Sequence, residues 1–158
     1  FHKRYDLGDK HDYKKGNMFS GLDELKEQIE SDYKVLMIKP LYLYDHSGIT
    51  ISTSSFNDRW DSGQVGWVFI DEKQWKLMMG NDTDINEERL SEIIDSDVKT
   101  YDQYITGEVY RYTIYEIETC SLGHEHKNYV EGCGGYFGEE ECESEGKSVI
   151  QHLEKEVV

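Results

Sequence analysis

Two short stretches hold the side-chain types that acid–base or hydrolytic chemistry needs. In YDHSGIT, Asp45, His46 and Ser47 are consecutive; in SSFNDRWDSGQVGWVFI, Asp58, Arg59, Asp61 and Ser62 surround Trp60. Asp58 and Asp61 could divide general-acid and general-base duties, with Ser62 or a water as nucleophile and Arg59 as an anion clamp. Adjacency at Asp45, His46 and Ser47 argues against a triad, because strand neighbours point to opposite faces and a triad converges in space. The G-x-S-x-G elbow is absent. These residues support two readings. One is a small metal-assisted hydrolase of unspecified substrate; the other, which the turn chemistry favours, is a pair of structural turns whose Asp side chains satisfy backbone donors. Arg59 and Trp60 also form a strong contact pair for recognition if both are exposed.

A metal reading rests on Cys120, His124, His126 and Cys133. If residues 108–119 and 128–137 form a hairpin, the two cysteines flank its turn, and two sulfurs with two imidazoles suit tetrahedral zinc. The spacing C-x3-H-x-H-x6-C lacks the compact ligand pairs of a zinc finger, so no cofactor is expected and zinc stands as the alternative to free thiols. Neither GxxxxGK[ST], GxGxxG nor H-E-x-x-H occurs.

Charge is the more distinctive signal. Among 158 residues, 33 Asp and Glu oppose 17 Lys and Arg, for a net −16. Residues 1–81 hold 11 basic against 13 acidic groups, whereas residues 82–158 hold 6 against 20, so −14 of the −16 belongs to the second half. Such a surface repels phosphate backbones and attracts basic proteins, including those that bind nucleic acid. The interaction residues this implies are Glu88, Glu92 and Asp95 on one helix face and Glu139, Glu140, Glu141 and Glu143 in the run EEECESEG; Arg59 and Trp60 join them as a separate candidate contact pair. Three cysteines fit a reducing compartment. No apolar run approaches the roughly 20 residues a membrane span requires, so no membrane partner is expected.

Periodicity places these residues on elements. SGLDELKEQIESDY reads as a helix with Ser20 as N-cap and Leu22, Leu25, Ile29 and Tyr33 on one stripe. VLMIKPLYLYD, ITIS and QVGWVFI read as strands, Pro40 interrupting or edging the first and Trp67 in the core. Asp71 with Gln74 forms a capping box for a short helix ending at Gly80, and Asp84 with Glu87 repeats that pattern before a longer helix through Leu90, Ile93, Ile94, Val98 and Tyr101. EVYRYTIYEIE is a strand with large residues on both faces, SLGHEHKN a turn, and YVEGCGGYFG a returning strand with a bulge. After the acidic run, KSVIQHLEKEVV forms a helix through Val149, Ile150, Leu153 and Val157. The expectation is one α+β domain over residues 1–158, an antiparallel or mixed sheet packed by two to four helices, with 139–158 as an acidic segment and C-terminal helix.

PLYLYDHSGITIS, WDSGQVGWVFI, VKTYDQYITGEVYRYTI and CGGYFG together resemble an uncharacterised family of small bacteriophage and prophage proteins, over roughly residues 40–137. The resemblance implies a phage accessory protein in the cytoplasm of a bacterial host and brings no activity, cofactor or site residue. Combined with the charge, the leading expectation is a non-enzymatic acidic protein that binds a basic host or phage protein, imitation of nucleic-acid charge being one version. A structural or assembly role is the third reading.

Overall fold

The computed structural model describes residues 2, 4–13, 20–80 and 84–156; Gly16 and Val157 lie outside the described residues. The described elements are α1 (Leu22–Asp32), β1 (Val35–Asp45), β2 (Ile49–Ser52), β3 (Ser62–Asp71), α2 (Glu72–Met79), α3 (Glu87–Thr106), β4 (Val109–Thr119), β5 (Glu125–Phe137) and α4 (Glu139–Glu156). The α+β class holds, and the strands fall into two antiparallel sheets, ordered β2-β1-β3 and β4-β5. The chain divides into two compact units, Phe1–Asp102 and Gln103–Val158.

In the first unit, β1 is the middle strand, but β2 pairs with it only from Tyr42 to Asp45. Pro40 therefore sits where β1 has β3 on one flank, paired with Trp67, and among the described residues no strand on the other. A residue without an N–H is tolerated at such a position, and the strand continues through it. Register places Trp67 on the Pro40 face and Lys39 on the opposite one. The Trp67 indole donates to the Leu22 carbonyl at 2.8 Å, with Lys26 over its ring at 5.5 Å, so α1 lies on that face and Trp67 is only half-buried. Lys39 meets Ser91 and Asp95 of α3 on the other face. Leu25, Ile29, Leu43, Ile51, Ile70, Trp75, Leu90, Ile94 and Val98 form the core. Full burial of a side chain such as Ile94 contributes about 1.5–3 kcal/mol.

The helix ends follow local chemistry with two corrections. The Asp71–Gln74 capping box closes as expected, Gln74 N–H donating to Asp71 at 2.7 Å and Asp71 N–H to the Gln74 side chain at 2.9 Å, and Gly80 ends α2 at φ 65°. At α1, however, the N-cap is Gly21, and Ser20 turns its N–H and hydroxyl to the Glu24 carboxylate, the backbone donor first among the causes that hold Glu24 below the ordinary range. At α3 the carbonyl of the Asn86 side chain, rather than Asp84, accepts from the N–H three residues on, at Arg89.

The second unit is a long hairpin with one helix on it. The turn is confined to Ser121–Gly123, and β5 begins at Glu125, earlier than GHEHKN suggests. Two register shifts each insert an extra residue into β5, Val130 opposite the Ile114–Tyr115 step and Gly135 opposite Tyr110–Arg111. Gly135 supplies the positive φ, 91°, that a bulge of this kind needs. The helix α4 starts at Glu139, so the acidic run is its first turns rather than a segment before it. Its packing face is Cys142, Gly146, Val149 and Leu153, while Ile150 is exposed. A Cβ on Gly146 would lie 3.3 Å from the Tyr112 Cβ; the missing side chain is what lets the helix approach β4.

Candidate functional site

The carboxylates and imidazole of the first unit gather at one end of the three-stranded sheet because its two connections meet there. Ser47 takes a left-handed conformation, φ 59°, in the tight β1–β2 turn, and His46 N–H donates to the Gly48 carbonyl at 3.0 Å. The loop from Thr53 returns to the same end, where Asp45 N–H donates to the Asp61 carbonyl at 2.8 Å. His46 Nδ1 consequently lies 3.0 Å from Asp61 Oδ2. This is the orienting half of an acid–base pair.

The other candidates lie at the same end but are bonded to the chain itself. Asp58 accepts from Trp60 N–H at 2.8 Å and Asp61 N–H at 2.7 Å, and these donors, Asp61 foremost, hold its carboxyl below the ordinary range. The Ser62 hydroxyl donates to the Asp58 carbonyl, and Asp45 receives the Arg4 guanidinium and the Tyr5 hydroxyl. Thus Asp45 and Asp58 fix chain geometry. Among the described residues no hydroxyl is hydrogen-bonded to the His46 ring, and the His46 and Asp61 side chains are 63% and 41% exposed. A depression of about 440 Å³ lies around Tyr33, Lys34, Lys73 and Lys76 instead. The Asp58 turn also holds rigid the backbone from which Trp60 projects, 94% exposed, beside exposed Arg59.

The zinc quartet does not assemble. Cys120 N–H donates to the His124 carbonyl at the turn, whereas Cys133 pairs with Tyr112. Eight residues of strand, on the order of 25 Å at ~3.4 Å per residue, separate Cys120 from the Cys133 level. The hairpin reading behind the zinc alternative started the returning strand three residues late and so centred the turn wrongly. No group of three or more His, Cys, Asp or Glu among the described residues is arranged to hold a metal ion. The Cys120 thiol is drawn below its ordinary value by backbone N–H groups of the turn, Leu122 first and then His124. Cys133 sits beside the Tyr136 hydroxyl and is the leading cause of that phenol's raised pKa.

The acidic residues separate into engaged and open. Asp95 accepts Lys39 Nζ at 2.8 Å and Thr53 Oγ1 at 2.7 Å, which hold its carboxyl low, Lys39 first. It serves as counter-ion to a Lys39 side chain only 21% exposed. A lysine inside the apolar run VLMIKPLYLYD was the available signal that a partner carboxylate had to exist. Glu143 is bridged to Lys147 at 2.7 Å. Glu88 and Glu92, one turn apart on α3, and Glu139, Glu140 and Glu141 at the start of α4 are exposed, with no ion pair among the described residues. No helix among the described residues is long and apolar enough to cross a membrane.

Comparison with family models, curated proteins and solved structures finds no match, and none of them supports membership of a family.

Proposed function

We propose that this chain is a small acidic binding protein, a phage accessory factor acting in the bacterial cytoplasm, that engages a basic host or phage protein through its open carboxylates. The observation that carries the reading is the first turn of α4, where Glu139, Glu140 and Glu141 are consecutive, exposed and unbridged. Successive residues on a helix point about 100° apart, so the three carboxylates fan around the N-terminal end of α4 as a compact patch of negative charge. The same carboxylates also complement the helix dipole, so the turn is stable while displaying them.

The test is recovery of basic proteins by the native chain at low and physiological salt, against the triple variant Glu139→Lys, Glu140→Lys, Glu141→Lys. The reading expects a basic partner that is lost from the variant and weakens steeply with salt. A partner retained by the variant, or insensitive to salt, removes it. A second reading, a hydrolase, draws only on the His46–Asp61 pair; hydrolytic turnover abolished by His46→Ala would bring it forward.

A further inference from the structure

The two faces of the β4–β5 ribbon carry opposite charge. Strand alternation and register put Glu116 opposite Asn128, Glu118 opposite His126 and Glu131 opposite Ile114 on the face that bears Tyr112, the face α4 covers. The other face holds Val109 with Phe137, Arg111 with Gly134, Thr113 with Gly132, Tyr115 with Tyr129 and Ile117 with Lys127. Close contacts confirm the sidedness: a Cβ on Gly134 would lie 3.1 Å from the Arg111 Cβ, and the Tyr115 and Tyr129 rings meet edge-on at 6.3 Å. At the centre of this face Tyr115, Ile117 and Tyr129 are 48%, 49% and 64% exposed. Arg111 and Lys127 are exposed and make no ion pair among the described residues, while Glu125, opposite Thr119, is the one acidic residue on the face.

We infer that this open ribbon face is a docking surface for an acidic, apolar-centred segment of another protein, a surface separate in chemistry from the carboxylates of α4. Charge complementarity selects the occupant. Arg111 and the Ile117–Lys127 level are six residues apart along the ribbon, roughly 20 Å at ~3.4 Å per residue. A segment with apolar side chains between two acidic ends therefore fills the tyrosine centre and neutralises both unpaired cations. Aliphatic Val109 and Ile117 beside the tyrosines fit protein side chains better than stacked bases; the net −16 of the chain opposes an acidic segment and a polyphosphate alike. That long-range repulsion is screened beyond about 8 Å at physiological salt, leaving the local contacts to decide.

The experiment is a chemical-shift titration of the isotope-labelled full chain with the synthetic peptide EEVTVTVEE, and in parallel with KKVTVTVKK and oligodeoxythymidine. The expected result is saturable shifts at Thr113, Tyr115, Ile117 and Tyr129 with the acidic peptide, with affinity flat or rising from 20 to 150 mM salt. Binding at the α4 turn should instead fall with salt, so this surface and the α4 reading fail separately. Arg111→Glu with Lys127→Glu should abolish the shifts, and Tyr129→Ala, a fold-sparing change at an exposed position, should weaken binding about tenfold. Shifts of these residues with the basic peptide or the oligonucleotide instead, concentration-dependent shifts without ligand that mark a second copy, or no shift with any probe would each overturn the proposal.

Discussion

The two units solve burial in opposite ways. Of the ten buried apolar side chains described, nine lie in the first unit, from Leu25 to Val98, and only Cys142 lies in the second. The first is a sheet with α1 and α3 on opposite faces; the second is a two-stranded ribbon with a helix on one face. A two-stranded hairpin is marginal without further packing, so the second unit depends on the close approach that Gly146 gives α4. The difference teaches where function can reside: the first unit exposes apolar side chains on loops and on α2, such as Trp60 and Leu77, whereas the second has a bare sheet face with area for contact.

This contrast can be broken or sharpened. Trp75→Ala should have the largest effect, about 3–5 kcal/mol off the first unit's stability in denaturant unfolding, since a fully buried aromatic leaves a cavity. Gly146→Val should cost the second unit about 1–3 kcal/mol by forcing α4 off Tyr112, read as lost hydrogen-exchange protection at Tyr112 and Thr113 while the Leu43 and Ile51 amides stay protected. Asp71→Ala, which opens the capping box, should cost about 1 kcal/mol in the first unit. Asp95→Asn should cost a few tenths to about 1 kcal/mol at neutral pH. The sign with pH follows from the folded Asp95 pKa lying below its unfolded value: the stabilisation is full above the ordinary Asp range and disappears as pH falls through the depressed value. Wild type and variant should therefore converge in stability only at pH well below the ordinary Asp range. Alkylation of Cys120 should show a midpoint below that of an ordinary exposed cysteine, whereas Cys142 should react only on unfolding.

Much of the first unit was legible because its signals are local. The Leu90, Ile94, Val98 stripe and the Asp71–Gln74 box are set by residues three and four apart, and the Trp60 loop leads into β3 as its glycines and Asp residues suggest. The second unit was less legible because its determinants are small residues and register. A stripe sought in bulky side chains chose Ile150 and passed over Cys142 and Gly146, which pack because they are small. Register depends on where β5 begins, and a start three residues late moved Cys133 beside Cys120. Of the candidate sites, the meeting of His46 and Asp61 was visible only as two polar loops; that they share one sheet end follows from the β1–β2 and β1–β3 pairings together. The segregation of Arg111 and Lys127 from Glu116, Glu118 and Glu131 needed the register as well.

The placement of both bulges on β5 leaves β4 a straight, regular rim with no third strand beside it among the described residues. Straight rims invite filament growth by strand addition, and Glu116 and Glu118 are the side chains that repel an incoming copy there. Neutralising both as glutamine should shorten the lag before thioflavin-positive material forms, an edge-specific protection added to the repulsion of the whole acidic surface.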